Sequence, residues 1–161
     1  MRYFSVTVRY SKNHIWIKYD TKTNIGKLGL THFAQKDIGD IKNIKMPTVG
    51  QDFQPNSLMA KLESSKSIFN FLSPIPLRLK SVNEELVDCP REINANAEET
   101  HLFSAQVLDQ RQITNLMSEE QYKSYLKKSG LDNSISKKPD RQVEDLEEDD
   151  DTEEINSNES K

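Results

Sequence analysis

Between about residues 12 and 108 the apolar residues come in short runs, each closed by a cluster of Asn, Asp, Gly, Pro or Ser. That punctuation favours short strands over long helices. The clearest case is Leu62-Glu63-Ser64-Ser65-Lys66-Ser67-Ile68-Phe69-Asn70-Phe71-Leu72-Ser73-Pro74. Leu58-Met59-Ala60 and Leu62 precede a polar island, and Ile68 to Leu72 follow it. Two apolar runs with a few small polar residues between them read as a hairpin. Serine suits the turn because its hydroxyl bonds nearby backbone groups. Lys66 then stands at the tip with its ammonium in water, either as a soluble turn residue or as the purpose of the turn.

The same reading gives strands at His14–Tyr19 and Ile25–Leu30 around a turn at Asp20 to Asn24. Thr31 caps a short helix through Phe33-Ala34-Gln35, ended by Gly39. Ile41 to Met46, Leu77 to Val82 and Leu102 to Val107 are further strands, with turns at Pro47–Gly50 and Asn83–Glu85. Strands at this spacing predict a mainly β sandwich or flattened barrel. Beyond it the period changes. Asp109-x-x-Gln112 and Ser118-Glu119-Glu120-Gln121 have the form of capping boxes. Ile113, Leu116 and Met117 share one helical face, and Tyr122, Tyr125 and Leu126 another, which Ser129-Gly130 stops. Trp16 reads as a core anchor with its indole N–H satisfied, and His14 as a hydrogen-bonding neighbour of it.

Composition removes several functions. A chain of 161 residues allows one ordinary domain and a tail. No apolar run approaches the roughly 18 residues of a membrane span. The single cysteine, Cys89, excludes an internal disulfide and a multi-cysteine zinc site, and His14, His32 and His101 lack metal-ligand spacing. No phosphate-binding glycine loop and no Gly-x-Ser-x-Gly motif occurs. From Pro139 to Lys161 there are 11 acidic residues against Arg141 and Lys161, whereas residues 1–138 hold 15 acids and 20 bases. The expected division is a lead-in over 1–11, a domain over 12–128 and a disordered acidic tail over 129–161.

Taken together these segments resemble the glycine cleavage system H proteins over residues 5–128. The resemblance rests on His14-x-Trp16, Gly29-Leu30-Thr31, Phe33-Ala34-Gln35, Ile38-Gly39-Asp40, Pro47-x-Val49-Gly50, Leu62-Glu63-Ser64-x-Lys66, Ser73-Pro74, Val82-Asn83-Glu84-x-Leu86, Asn94 and Met117-Ser118-Glu119-Glu120-x-Tyr122. It implies a lipoyl-domain fold, a barrel-sandwich hybrid with short C-terminal helices. Lys66 matches the lysine that carries lipoate as an amide, and Glu63 matches a residue recognised by the lipoyl-attaching enzyme. The implied arm takes an aminomethyl group from glycine decarboxylase and presents it to aminomethyltransferase. Dihydrolipoamide dehydrogenase then reoxidises it. The implied carrier has no turnover of its own, no nucleic-acid or membrane partner, and no metal.

The closing helix motif resembles animal mitochondrial members, which implies a mitochondrial protein. The first 19 residues, with Arg2, Arg9, Lys12 and Lys18 and no acid, have the charge of a presequence. The domain begins almost at once, leaving little room for a removable segment.

The sequence also departs from the family pattern. Ser65 and Ser67 replace Val and Ala beside the lysine, Ile68 and Phe69 replace small residues, and Asn70 replaces an acid. Ile15 stands where the family has a glutamate thought to line the cleft sheltering the arm. Thr100-His101 align with a Gly-Trp pair that opens the last strand, and His101 reads as an ordinary strand residue. Loss of two carboxylates weakens the hold on a protonated amine. Two other readings therefore stand beside the carrier: an unmodified interaction module, and a lipoyl donor without glycine cleavage.

Overall fold

The computed structural model describes residues 6–130; the segment 131–161, which holds most of the expected acidic tail, and residues 1–5 lie outside it. Nine strands form two antiparallel sheets. The larger has the order β1 (Val6–Tyr10), β2 (Ile15–Asp20), β3 (Ile25–Leu30), β9 (Phe103–Val107), β8 (Leu77–Val82), β5 (Asp52–Phe53). The smaller has the order β4 (Ile41–Lys45), β6 (Leu58–Ser64), β7 (Ile68–Leu72). Helix α1 (His32–Ile38) carries the chain from the larger sheet to the smaller.

Alternation along each strand builds the core. Ile15, Ile17 and Tyr19 of β2 turn inward with Leu28 and Leu30 of β3, and meet Leu62, Phe71, Leu77, Leu79 and Phe103 in one apolar cluster. Phe71 and Phe103 bridge the two sheets edge to face, with centroids 5.0 Å apart and planes at 85°. Trp16 turns to the opposite face of β2. It is 2 % exposed, and its indole N–H donates to the Ala97 carbonyl at 3.2 Å. A Cβ at Gly29, its cross-strand partner, would strike the Trp16 ring, so this position must be glycine for the indole to lie flat on β3.

The expected α1 is present with its expected ends. Thr31 accepts the Ala34 N–H on its hydroxyl at 3.2 Å, and Gly39 closes the last turn at φ 91°. The Ser118 box also forms, with Ser118 N–H donating to Gln121 Oε1 at 2.9 Å and Gln121 N–H to Ser118 Oγ at 3.3 Å. It opens helix α4 (Glu119–Lys128).

Other expectations change. Residues 6–10, read as lead-in, are an edge strand, because Tyr10 pairs with Trp16 and exchanges backbone bonds with Met117. Asp109 caps a 3-10 helix over Gln110–Asn115, and Gln112 bonds the Asp109 carboxylate instead of completing a box. The turn at Asn83 leads into two short helices, α2 (Glu85–Asp88) and α3 (Arg91–Ala95), then a 3-10 turn at Ala97–Glu99. Four and five residues are too few to display a helical period. Their buried residues Leu86, Ile93 and Ala97 show why they form: each closes the core.

A buried polar chain joins α1 to α4. Tyr122 stacks on Tyr10 at 4.8 Å, and its hydroxyl lies 2.8 Å from His14 Nδ1 and 2.9 Å from Thr31 Oγ1. Thr31 is fully buried and accepts the Ala34 N–H, and it shares a second bond with Tyr122 in which either hydroxyl can donate. The direction of the Tyr122–His14 bond follows the histidine tautomer. Burial lowers the His14 pKa, against an opposing pull from Asp37, and raises that of Tyr122. Charging His14 would make both ring nitrogens donors and place a cation in a half-buried site.

The unfolded chain therefore binds a proton that the native chain refuses. Stability is full above about 6.5, the ordinary histidine value, and falls as pH drops below it. The melting temperature is expected to decline between about pH 7.5 and 5.5. His14→Asn, which tolerates the φ of 66°, should flatten part of that slope. The remainder belongs to His101, whose pKa is lowered by burial and then by Lys27 and Lys18. An unchanged slope in the variant would mean that burial of His14 does not carry the pH dependence.

Candidate functional site

The hairpin forms as expected, β6 running into β7 with Glu63 opposite Ile68 and a turn of Ser65, Lys66 and Ser67. All three turn residues are exposed. The turn is held by Ser64. Its Oγ accepts the N–H of Lys66 at 3.1 Å and of Ser67 at 3.0 Å, and its hydroxyl donates to the Ile38 carbonyl at 2.8 Å. One side chain thus closes the turn and ties it to the C-terminal end of α1. The Ser64 N–H bonds the Ser67 carbonyl at 2.9 Å, completing the loop.

The stem of Lys66 crosses that helix end. A Cβ built on Gly39 would lie 3.1 Å from Lys66 Cε and 3.7 Å from Cδ. Gly39 combines φ 91° with ψ −165°, a conformation open almost only to glycine. It therefore answers two demands at once: the chain's left turn out of α1 and space for the lysine stem.

Behind Gly39 the backbone is fixed by two amide side chains. Asn94 accepts the Ile41 N–H at 2.9 Å and donates to the Ile41 carbonyl at 3.3 Å, imitating a strand partner at the start of β4. Gln35, only 5 % exposed, donates to the Gly39 carbonyl at 3.3 Å and to Asn94 at 3.4 Å.

Glu63, at the end of β6, is half-buried and accepts the Asn43 side-chain N–H at 3.1 Å. It lies on the hairpin three residues before Lys66 and is held in a fixed direction by that bond. Among the described residues Lys66 has no ion pair, and no group of three His, Cys, Asp or Glu is placed to hold a metal. Nor is any helix among them long and apolar enough to cross a membrane.

The departing positions separate by burial. Ile15 is wholly enclosed in the core, so this position lines no cleft in the fold; a carboxylate there would be desolvated among apolar side chains. Ile68 is 60 % exposed beside the tip, Phe69 packs partly on the core, and Asn70 is exposed opposite Lys61. His101 lies just before β9, and Asn83 donates to its carbonyl at 2.9 Å. Its neighbours give it no ligand or base geometry.

The sequence places Lys66 and Glu63 on the hairpin, but neither the Asn43 bond to Glu63 nor the contact of Lys66 with Gly39 is visible in it. The signal for the latter was present in Ile38-Gly39-Asp40, which reads only as a helix stop until α1 is laid against the hairpin.

Residues 8–129 match the family model described as glycine cleavage H-protein. A glycine cleavage system H protein of Halothermothrix orenii is 35 % identical over 118 residues, covering 73 % of this chain and 91 % of its own. One from Bacillus velezensis is 34 % identical over 116 residues, covering 71 % and 90 %. The crystal structure of a glycine cleavage system H protein from Mycobacterium marinum has the same fold, with a TM-score of 0.66 and 23 % identity over 76 % of this chain and 96 % of that one.

Two substitutions test the support of the tip. Ser64→Ala should cost about 1 kcal/mol of stability and speed amide exchange at Lys66 and Ser67 in particular. Gly39→Ala should cost about 1–3 kcal/mol, from its backbone angle and the collision with the lysine stem. Denaturant melts and hydrogen exchange read both. Uniform exchange across β6 and β7 in Ser64→Ala would mean that the hydroxyl does not govern the turn.

Proposed function

Because the chain belongs to the glycine cleavage H-protein family, we propose that it is the lipoyl carrier of a glycine cleavage system, modified on Lys66. The observation that supports this most directly is the exposed Lys66 on a turn whose backbone is held by Ser64, with its side-chain stem lying against Gly39. A carrier lysine must be open to an enzyme yet mounted on a rigid scaffold, so that its arm is presented from a fixed root. Lys66 meets both conditions. The small Ser65 and Ser67 leave the ammonium accessible, and no carboxylate among the described residues competes for it.

Attachment joins Lys66 Nζ to the lipoyl carboxyl as an amide and removes the lysine's charge, as acylation of any lysine does. The bound group supplies a disulfide-bearing arm that accepts and hands on the aminomethyl unit of glycine. The chain's own residues act by position. Ser64 fixes the turn, Gly39 admits the stem, and Glu63, aimed by Asn43, gives the loading enzyme an oriented carboxylate three residues from its target. The partners in this reading are glycine decarboxylase, aminomethyltransferase, dihydrolipoamide dehydrogenase and the lipoyl-attaching enzyme, and the carrier itself turns nothing over. Its domain runs through residue 128, with the acidic segment 129–161 outside it.

A second reading is favoured by Ile15. With that position in the core and Asn70 uncharged, neither offers a counter-charge to a protonated arm. A carrier loaded on Lys66 that passes lipoate to other enzymes needs no such shelter. The curated relatives named above are bacterial, so the mitochondrial assignment stands as a proposal on the Met117–Tyr122 motif, tested by imaging the full chain in its own cells.

Mass spectrometry of the protein from its native source should find one lipoyl amide on the peptide containing Lys66, and none in Lys66→Arg. A bare lysine beside normally lipoylated proteins of the same cells would overturn the carrier reading. Reconstituted glycine cleavage with the loaded protein separates shuttle from donor: activity supports the first, and lipoylation without activity the second.

A further inference from the structure

The smaller sheet has an unequal charge. Its three strands contain Lys42, Lys45 and Lys61 and a single acid, Glu63, which is engaged by Asn43. Lys45 and Lys61 are direct cross-strand partners, and both are exposed. Like charges directly opposed on one face of a sheet are destabilising. Among the described residues neither lysine has an ion pair. Here two cations stand together, and no ion pair among the described residues balances them.

They also rim an open groove of about 340 Å³. Buried Phe53 and Met59 lie at its base, and Leu58, 45 % exposed, and Pro47 line its side. An apolar-based groove with two opposed cations at its edge is complementary to an acidic segment that carries an apolar side chain.

Resting on the carrier reading above, we propose that this groove docks the enzyme that loads Lys66, through an acidic segment of that enzyme bearing an apolar anchor. Position selects this partner. Lys61 lies three residues before Ser64 on β6, about 10 Å along the strand. Before loading, only the lysine stem projects from the tip, and that stem lies against Gly39. An enzyme acting on it must close directly over the hairpin, and its rim then falls on the same sheet. Partners that meet the loaded arm can stand farther off. Exposed Ile68, next to the turn and opposite Glu63, extends the contact toward the lysine.

The test is the rate of loading of the full chain by a purified lipoate–protein ligase with ATP and lipoate, followed by intact mass. In that reaction ATP activates the lipoyl carboxyl as its adenylate, with release of pyrophosphate. Nζ attacks the carbonyl carbon, AMP leaves, and the nitrogen's proton passes to solvent.

Lys45→Glu and Lys61→Glu each turn an opposed like pair into an opposite pair, so neither variant threatens the fold. Each should raise KM for the carrier roughly five- to tenfold with kcat little changed, and weaken its salt dependence. Lys22→Glu, an exposed lysine in the β2–β3 turn, should leave KM as it is. Unchanged KM in both sheet variants, or an equal rise in Lys22→Glu, overturns the docking site while leaving the carrier reading intact. A wild-type chain that takes no lipoyl group removes both.

Discussion

The hydroxyl of Ser64 carries the tip of this molecule. It satisfies two backbone N–H groups of the turn while donating to the carbonyl of Ile38, so the hairpin and the end of α1 share one polar atom. Without it the two sheets would still bury their apolar faces, but Lys66 would hang from a loose loop. With it, the root of the lysine is fixed to within the freedom of its own side chain. Gly39 completes the arrangement by leaving free of a side chain the place where the lysine stem lies.

Rigidity at that point is inherited from further away. Asn94 holds the start of β4 as a strand partner would, and Gln35 links Asn94 to Gly39, so Gly39 and Ile41 are tied on either side of the corner facing the lysine. Asn94 belongs to α3, one of the short helices that fill the gap between β8 and β9. The path runs from core closure by Ile93, through Asn94, to the seat of Lys66. A substitution in α3 can therefore disturb the tip without touching it.

The departures at Ile15 and Ile68 follow from burial more than from chemistry at the tip. Ile15 shares the inward face of β2 with Ile17, where an apolar residue of its size gains roughly 1.5–3 kcal/mol from leaving water. Its presence strengthens the scaffold at a place where a carboxylate would be desolvated among apolar side chains. Ile68 does the reverse. It exposes apolar surface beside the lysine, on the same sheet face as Glu63 and the Lys45–Lys61 pair, and that surface is available to whatever closes over the tip.

Much of this was legible in the residues alone. Short apolar runs closed by turn residues marked β2, β3, β4, β8 and β9, and the serine-framed lysine marked the hairpin, because strand and turn signals are local. The cap at Thr31 and the box at Ser118 were equally plain, being bonds between residues three apart. The two-residue β5 and the brief α2 and α3 were not, since each is too short to show a period and forms only because Phe53, Leu86 and Ile93 find the core. Nor was β1 evident, because its partner strand and the bridge to Met117 define it. By itself the sequence determined which lysine is offered and what kind of turn offers it. Only the tertiary structure decided what that lysine rests on, which carboxylate is aimed beside it and which cations stand opposed nearby. Those are contacts between segments about 16 to 27 residues apart, and no local pattern encodes a distance that folding alone brings to zero.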